Sequence, residues 1–426
     1  MLKNLYTTTL LAIVLAASTR VTAQHFSMAR VAVAQDTLCV KTDMAHMIFP
    51  GSHDTFDALY KKLAKHLATG TNRINVLHIG GSHVQAGYLS GRLRDNVSNM
   101  HDSTGTFCVK AADRGFVFPF EAVGTNAPKN YSISHTGKWR ASKCISGTPD
   151  VELGICGIAA ITNDHSATLT LYLPDETYSF NQLRVLGYSD RDNCFPIIIM
   201  EADTIFPAIN DHATGYLFHL PSSVTCCTVS FCNVNDSCAF VLRGLMPKSD
   251  RNGITYTESG VNGAAVTSWL RCKALKEELK LLTPDLIVFG IGINDAATTF
   301  DNFNPDTFKD NYRELINEIK QVTPSAALLF ITNNDCNQSV RIRKPNLNTA
   351  RVAQAFKELA QEYNGAVFDL YQTMGGQGSA ANWVHHKLMQ RDRVHFTSAG
   401  YQLVGDLIYN AVAEDFEKYV NRQSRR

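Results

Sequence analysis

The chain has 426 residues, longer than one ordinary domain and comfortable for two. Hydrophobic residues make up 45% and charged residues 19%, a globular composition with enough apolar surface for large cores. Lys and Arg number 40 against 39 Asp and Glu, so no charge excess favours a nucleic acid or an anionic membrane as partner.

The N-terminus reads as an export signal over 1–23. Lys3 gives the positive start, Leu10 to Ala17 a short apolar run, and Val21-Thr22-Ala23 a small-residue cleavage site before Gln24. The run is too short to span a bilayer, and no later stretch approaches that length. The expectation is a soluble periplasmic or secreted protein with no integral membrane segment after signal cleavage. Eleven cysteines fit an oxidising compartment. No CxxC pair occurs, which argues against a structural zinc site. Cys232 and Cys238 flank a turn-like Asn-Val-Asn-Asp-Ser, and a disulfide between them is an expectation.

After an N-terminal segment over 24–53, Asp54 caps a predicted helix with apolar positions Phe56, Leu59, Leu63 and Leu67. Ile74 to Ile79 reads as a buried strand ending at Gly80-Gly81. Val84, Tyr88, Leu89, Leu93 and Val97 then line one face of a second helix. From about 103 to 255 the pattern changes to short alternating or β-rich runs: Ala167 to Leu173, Gln182 to Gly187, Pro196 to Met200, Ser223 to Phe231 and Cys238 to Leu242. Turn-rich clusters separate them, as in a β sandwich. Strand and helix alternate again over 256–426. Helices are predicted over 264–282, 307–322, 349–363 and 399–419, with strands over 285–290, 326–332 and 366–370. Joining 54–102 to 256–426 gives a three-layer α/β domain on a parallel sheet, with the β region as an insertion.

Four loop segments carry candidate chemistry. Ser82 follows a strand and opens a helix, where unpaired amides and the positive helix end lie beside it; taken alone it is a plain helix cap. Gly292-Ile293-Asn294-Asp295 follows a later strand, and the Asn294 amide is a candidate oxyanion donor. In Asp392-Arg393-Val394-His395 the spacing lets a carboxylate reach one imidazole nitrogen and leaves the other free to take a hydroxyl proton. Gly263 precedes a helix, and its backbone amide is a third candidate donor.

In this order the four segments resemble the SGNH (GDSL-like) hydrolases, whose blocks are a Ser in a GDS turn, a Gly, a GxND and a DxxH. The resemblance implies the flavodoxin-like fold of that class. It implies Ser82 as nucleophile, His395 as base, Asp392 as the acid that orients it, and the Ser82 amide, Gly263 and Asn294 as the oxyanion hole. No metal or organic cofactor is implied. The usual GDS reads Gly80-Gly81-Ser82 here, so the motif's Asp is missing and the turn that positions Ser82 is expected to be looser. Ser82-His83, the large insertion after the first block and the 392–401 run are similar to bacterial peptidoglycan O-acetylesterases, in which the insertion is a carbohydrate-binding-module-like sandwich.

The reading carried forward is an esterase acting on an acetylated glycan. The alternatives are a lysophospholipase with the same site, and a non-catalytic glycan-binding or adhesion protein on the same scaffold, to which Gly81 lends support. Arg341, Arg343 and Lys344 read as a solvated loop, and His385-His386, lacking a third ligand, as surface. Tyr131 and Trp139 suit either sugar stacking or core packing.

Overall fold

A computed structural model describes residues 26–33, 39–145, 147–200 and 203–425. The expected signal over 1–23 lies outside them. The main-domain strands are β1 (Met47–Ile48) and β2 (Arg73–Gly80), then β14 (Gly253–Gly260), β15 (Leu286–Gly290), β16 (Ala327–Ile331) and β17 (Ala366–Phe368). Between β2 and β14 lie β3 (Ser132–Thr136), β4 (Arg140–Lys143), β5 (Ile158–Thr162), β6 (Thr168–Tyr172), β7 (Phe180–Ser189), β8 (Pro196–Met200), β9 (Asp203–Ile205), β10 (Ile209–Asp211), β11 (Gly215–Val224), β12 (Cys226–Phe231) and β13 (Phe240–Lys248). The helices are α1 (Asp54–Thr69), α2 (Ser82–Gln85), α3 (Tyr88–Ser98), α4 (Val266–Trp269), α5 (Leu275–Leu282), α6 (Pro305–Val322), α7 (Thr349–Tyr363), α8 (Leu370–Thr373), α9 (Ser379–His385) and α10 (Ser398–Gln423).

The main sheet runs β1-β17-β16-β15-β2-β14, all parallel except the short edge strand β1. Strand alternation divides its side chains between two cores. Leu77, Ile79, Ile287, Phe289, Leu328, Phe330 and Val367 face α5, α6 and α7; Ile74, Val76, Val288, Leu329 and Phe368 face α1, α3 and α10. Both faces are covered by helices, which gives three layers. Counting only the parallel strands in chain order, the sheet reads 2-1-3-4-5, the flavodoxin-like order. Its switch point is the carboxyl end of β2, flanked by β14 and β15, and ligands of such sheets bind there.

The inserted strands form two antiparallel sheets, β10-β11-β7-β13-β5-β4 and β3-β6-β12-β8-β9. Leu169, Leu171, Ile198 and Val229 of one face Leu183, Val185, Phe218 and Leu242 of the other in a shared core. Phe231 and Phe240 meet with ring centroids 4.8 Å apart. β14 starts at Gly253 as a full member of the main sheet and so runs through the expected junction at 255/256. All eleven cysteines are free thiols, and Cys232 and Cys238 are not bonded to each other; Cys238 Sγ lies 3.2 Å from Ser189 Oγ instead.

Two predicted helices are broken. Positions 82–98 split at Ala86-Gly87, where Pro128 packs so closely on Gly87 that a Cβ there would lie 2.7 Å from the proline side chain. Positions 264–282 split because the chain docks on the insertion at the break, with the Ala274 amide donating to the Leu153 carbonyl. Beyond that break Glu278 enters the insertion. It accepts from the Ile155 amide at 2.6 Å and pairs with Arg243 of β13 at 2.8 Å, both side chains fully buried. Arg243 thus holds its counter-charge across the boundary between sandwich and main domain. Glu278→Ala is expected to lower the unfolding free energy by about 3–5 kcal/mol in urea titration, because it strands a buried guanidinium. A loss below about 1 kcal/mol would show that the pair does not fasten the two units.

Candidate active site

The site forms at the switch point because four loops leave the carboxyl edge of the sheet side by side. β2 ends at Gly80, and Gly81-Ser82 turns directly into α2. The turn needs glycine at position 80: a Cβ there would sit 2.2 Å from Val84 Cγ2. Position 81 differs. A Cβ on Gly81 would meet nothing nearer than Asn294 Nδ2 at 3.5 Å, an ordinary contact. The missing Asp of the motif therefore leaves a small space beside Asn294, and the turn is held without it. The Val261 amide donates to the Gly80 carbonyl at 3.1 Å, and the Val84 and Gln85 amides donate to the Gly81 carbonyl.

Ser82 Oγ donates to His395 Nε2 at 2.9 Å, and His395 Nδ1 donates to Asp392 Oδ2 at 2.8 Å. The second oxygen of Asp392 accepts from the amides of Val394 at 2.8 Å and His395 at 3.0 Å. These bonds hold the Asp392 carboxyl below the ordinary aspartate range against the opposing effect of its partial burial. The carboxylate thus stays ionised and fixes the imidazole tautomer that leaves Nε2 free for the serine proton.

Asn294 is exposed. One N–H of its side chain donates to the Ala264 carbonyl at 2.9 Å, and an amide nitrogen has a second N–H to offer. Asp295 accepts from the Val266 amide at the start of α4 at 3.1 Å, and burial raises its carboxyl to about 6. The Asn294 loop and the Gly263 loop are thereby tied together. Gly263 has φ 82°, a conformation that favours glycine, and a Cβ there would touch only Ile145 of the insertion. Among the described residues the amides of Ser82 and Gly263 have no acceptor in the protein. Ser82, Gly263, Asn294, His395 and Asp392 are therefore brought to one surface with two backbone donors and one side-chain donor free.

Several residues that fasten this arrangement escaped the sequence reading. Gln85 is buried, accepts from the Asn262 amide at 2.7 Å, and donates to Thr125 Oγ1 and the Asn126 carbonyl at 3.0 Å. Asn334 donates to the Val394 carbonyl at 3.2 Å. Asn337 donates to the Asp392 carbonyl at 2.9 Å, and its own amide to that of Arg393 at 2.9 Å. His83 shares a 2.6 Å hydrogen bond with the Tyr401 hydroxyl, its ring 5.6 Å from that of His395. Burial, reinforced by His395, pushes the His83 imidazole down to about 3, so it stays neutral near neutral pH. A sequence signal existed only for His83, adjacent to Ser82; the asparagines lie in loops with no repeating pattern.

Other candidates resolve differently. Tyr131 is buried in the core with its hydroxyl donating to the Phe118 carbonyl, and Trp139 is partly buried, packed edge-on to Phe231 with its Nε1 donating to the Thr136 carbonyl. His385 and His386 lie ring to ring, and no group of metal-ligating side chains occurs among the described residues.

Residues 233–403 match the family described as GDSL-like lipase/acylhydrolase. The match includes Gly263, Asn294, Asp392 and His395 but not Ser82, which the insertion separates from the other three segments. A solved peptidoglycan O-acetylesterase is 18% identical, with 87% of this chain and 99% of that one covered and a TM-score of 0.69. That likeness shows that the two chains share a fold over most of this chain and nearly all of that one. A lipase/acylhydrolase from Enterococcus faecalis is 25% identical over 38% of this chain and 78% of its own, TM-score 0.31. An acetyl xylan esterase from Geobacillus stearothermophilus is 21% identical over 38% and 73%, TM-score 0.29. No curated protein matches the chain.

The two glycines of the Gly80-Gly81-Ser82 turn predict opposite outcomes. Gly81→Ala is expected to keep the melting temperature within about 2 °C, and Gly80→Ala to lose about 1–3 kcal/mol through overpacking against Val84. Thermal unfolding of both variants checks this; equal losses would mean that position 81 is as crowded as position 80.

Proposed function

We propose that the protein is an exported serine esterase that removes O-acetyl groups from a carbohydrate, most simply peptidoglycan or another polysaccharide, through an acetyl-Ser82 intermediate. The observation that carries the reading is the unbroken chain from Ser82 through His395 to Asp392, at 2.9 and 2.8 Å, beside free donors from three loops. His395 takes the Ser82 proton as Oγ attacks the ester carbonyl. The amides of Ser82 and Gly263 and the Asn294 side chain hold the oxyanion. As the tetrahedral intermediate collapses and the bond from the acetyl carbon to the sugar oxygen breaks, His395 gives the proton to that oxygen, which leaves as a hydroxyl. In the second half it deprotonates a water that attacks the acetyl-serine, releasing acetate and restoring Ser82. The glycan as substrate is supported by the open, exposed position of Asn294 and by the resemblance in fold to an O-acetylesterase. Export is supported by the Lys3 to Ala23 pattern.

Acetate release from O-acetylated peptidoglycan, from acetylated xylan and from a chromogenic acetate ester tests the proposal. Wild type is expected to turn over the small ester and at least one polymer, with Ser82→Ala reducing both to background. Asn294→Ala is expected to reduce kcat by about a hundred- to a thousand-fold with the fold intact, the usual effect of losing one oxyanion donor. Unchanged turnover in Ser82→Ala would remove the serine from the reaction, and unchanged kcat in Asn294→Ala would remove Asn294 from the site.

A further inference from the structure

The loop between β16 and α7 is a hairpin. Asn337 pairs with Pro345 across its base, the Gln338 amide donates to the Lys344 carbonyl at 2.8 Å, and Ser339 closes the tip by accepting from the amides of Arg341 and Ile342. Its base is fixed to the two loops that bear the reactive groups. On one side Asn337 bonds the backbone of Asp392 and Arg393; on the other the Gln338 side chain donates to the Thr298 carbonyl at 3.2 Å, just past Asn294. The hairpin therefore projects from between the base and the oxyanion donor. Four residues of extended chain carry its tip at most about 14 Å from that anchor, within the span of a few sugar units.

Arg341, Arg343 and Lys344 on the hairpin and Arg391 and Arg393 on the Asp392 loop are all exposed, and among the described residues none is in an ion pair. Arg391 and Arg393 flank Asp392, whose carboxylate is engaged by His395 and two backbone amides, and Arg393 also acts on the buried Asp335. A chain of net charge +1 has thus gathered five cations without an ion-pair partner at one rim of its candidate site. Such concentrated charge attracts anions and is screened by salt. Val340 and Ile342, 47% and 49% exposed, add apolar surface between the cations.

We infer that this hairpin is a substrate-binding arm that recognises carboxylates on an anionic polysaccharide and delivers its acetylated units to Ser82. The inference rests on the esterase reading and extends it to the charge of the substrate. A polymer, rather than an anionic lipid surface, fits the arrangement better. The exposed ring of Phe300 carries the Arg351 guanidinium on one face at 4.5 Å, and Val340, Ile342 and Leu347 are single aliphatic side chains set among charges, a small apolar area for insertion.

The test uses the full chain and the variant Arg341→Gln/Arg343→Gln/Lys344→Gln. Substrates are an O-acetylated polyuronate, the same polymer with its carboxylates amidated, and the chromogenic acetate ester. The variant is expected to lose about tenfold in kcat/KM on the polyuronate, mainly through KM, as three screened charge pairs together give. Its activity on the amidated polymer and the small ester stays within twofold of wild type. Raising the salt should erase the wild-type preference for the charged polymer. Binding of Ser82→Ala, with and without the three hairpin changes, to the two polymers reads the arm independently of turnover. Failure of wild type to hydrolyse any acetate ester would therefore sink the esterase reading without deciding the arm. Equal polyuronate binding with and without the three changes, or an equal loss on the small ester, overturns the inference. So does hairpin-dependent cosedimentation with phosphatidylglycerol vesicles in the absence of polyuronate binding, which would assign the arm to a lipid surface.

Discussion

A single hydrogen bond joins two residues 313 positions apart, Ser82 and His395, and most of the main domain can be read as the apparatus that makes it. Neither side chain is positioned by its own element alone. Ser82 is placed by β2, whose two parallel neighbours, β14 and β15, both follow it in the sequence, so that its carboxyl end is the switch point of the sheet. His395 is placed by an irregular loop ahead of α10. That loop holds its shape because one oxygen of Asp392 is spent on two backbone amides while the other meets the imidazole. Arg393 adopts φ 54° inside it, a conformation that non-glycine residues hold only where surrounding contacts enforce it. Asn334 and Asn337 supply those contacts from the β16 side.

Side-chain amides recur throughout the site. Gln85, Asn294, Asn334 and Asn337 each bond backbone of a loop other than their own, so the four loops are linked without a metal-binding cluster or a disulfide among the described residues. The side chains of this network are uncharged, and it leaves the Asp392 carboxylate to interact with the His395 imidazole. The neutral His83–Tyr401 pair behind them adds no competing charge near the reacting proton.

The fold class and the residues that meet at the site were legible in the sequence because each obeys a local rule. Ile74 to Ile79 is apolar on both faces as only a doubly covered strand is, Ser82 stands where strand turns to helix, and a three-residue Asp392–His395 spacing has one obvious use. What the sequence hid depends on contacts between distant segments. The breaks at Ala86-Gly87 and at 270–274 occur where Pro128 and Leu153 of other segments press against runs whose own spacing suits a continuous helix. The edge strand Met47–Ile48 is too short to show a period and exists because β17 offers it an unpaired edge. Trp139 and Tyr131 carry the same letters whether they stack on a sugar or fill a core, and only burial distinguishes the two. The basic run at 341–344 is exposed as a solvated loop is, and the fastening of its base to the Asp392 and Asn294 loops is visible only in three dimensions.

The central claim is that the sheet's switch point activates Ser82 through His395. Reaction with a fluorophosphonate ester tests it most directly, because such a reagent phosphonylates a serine only where a base removes its proton. One equivalent is expected to attach, peptide mass mapping is expected to place it on Ser82, and His395→Ala is expected to remove nearly all labelling while the fold is retained. Absence of labelling in the wild-type protein, or labelling of Ser82 that is as fast without His395 as with it, would contradict the account.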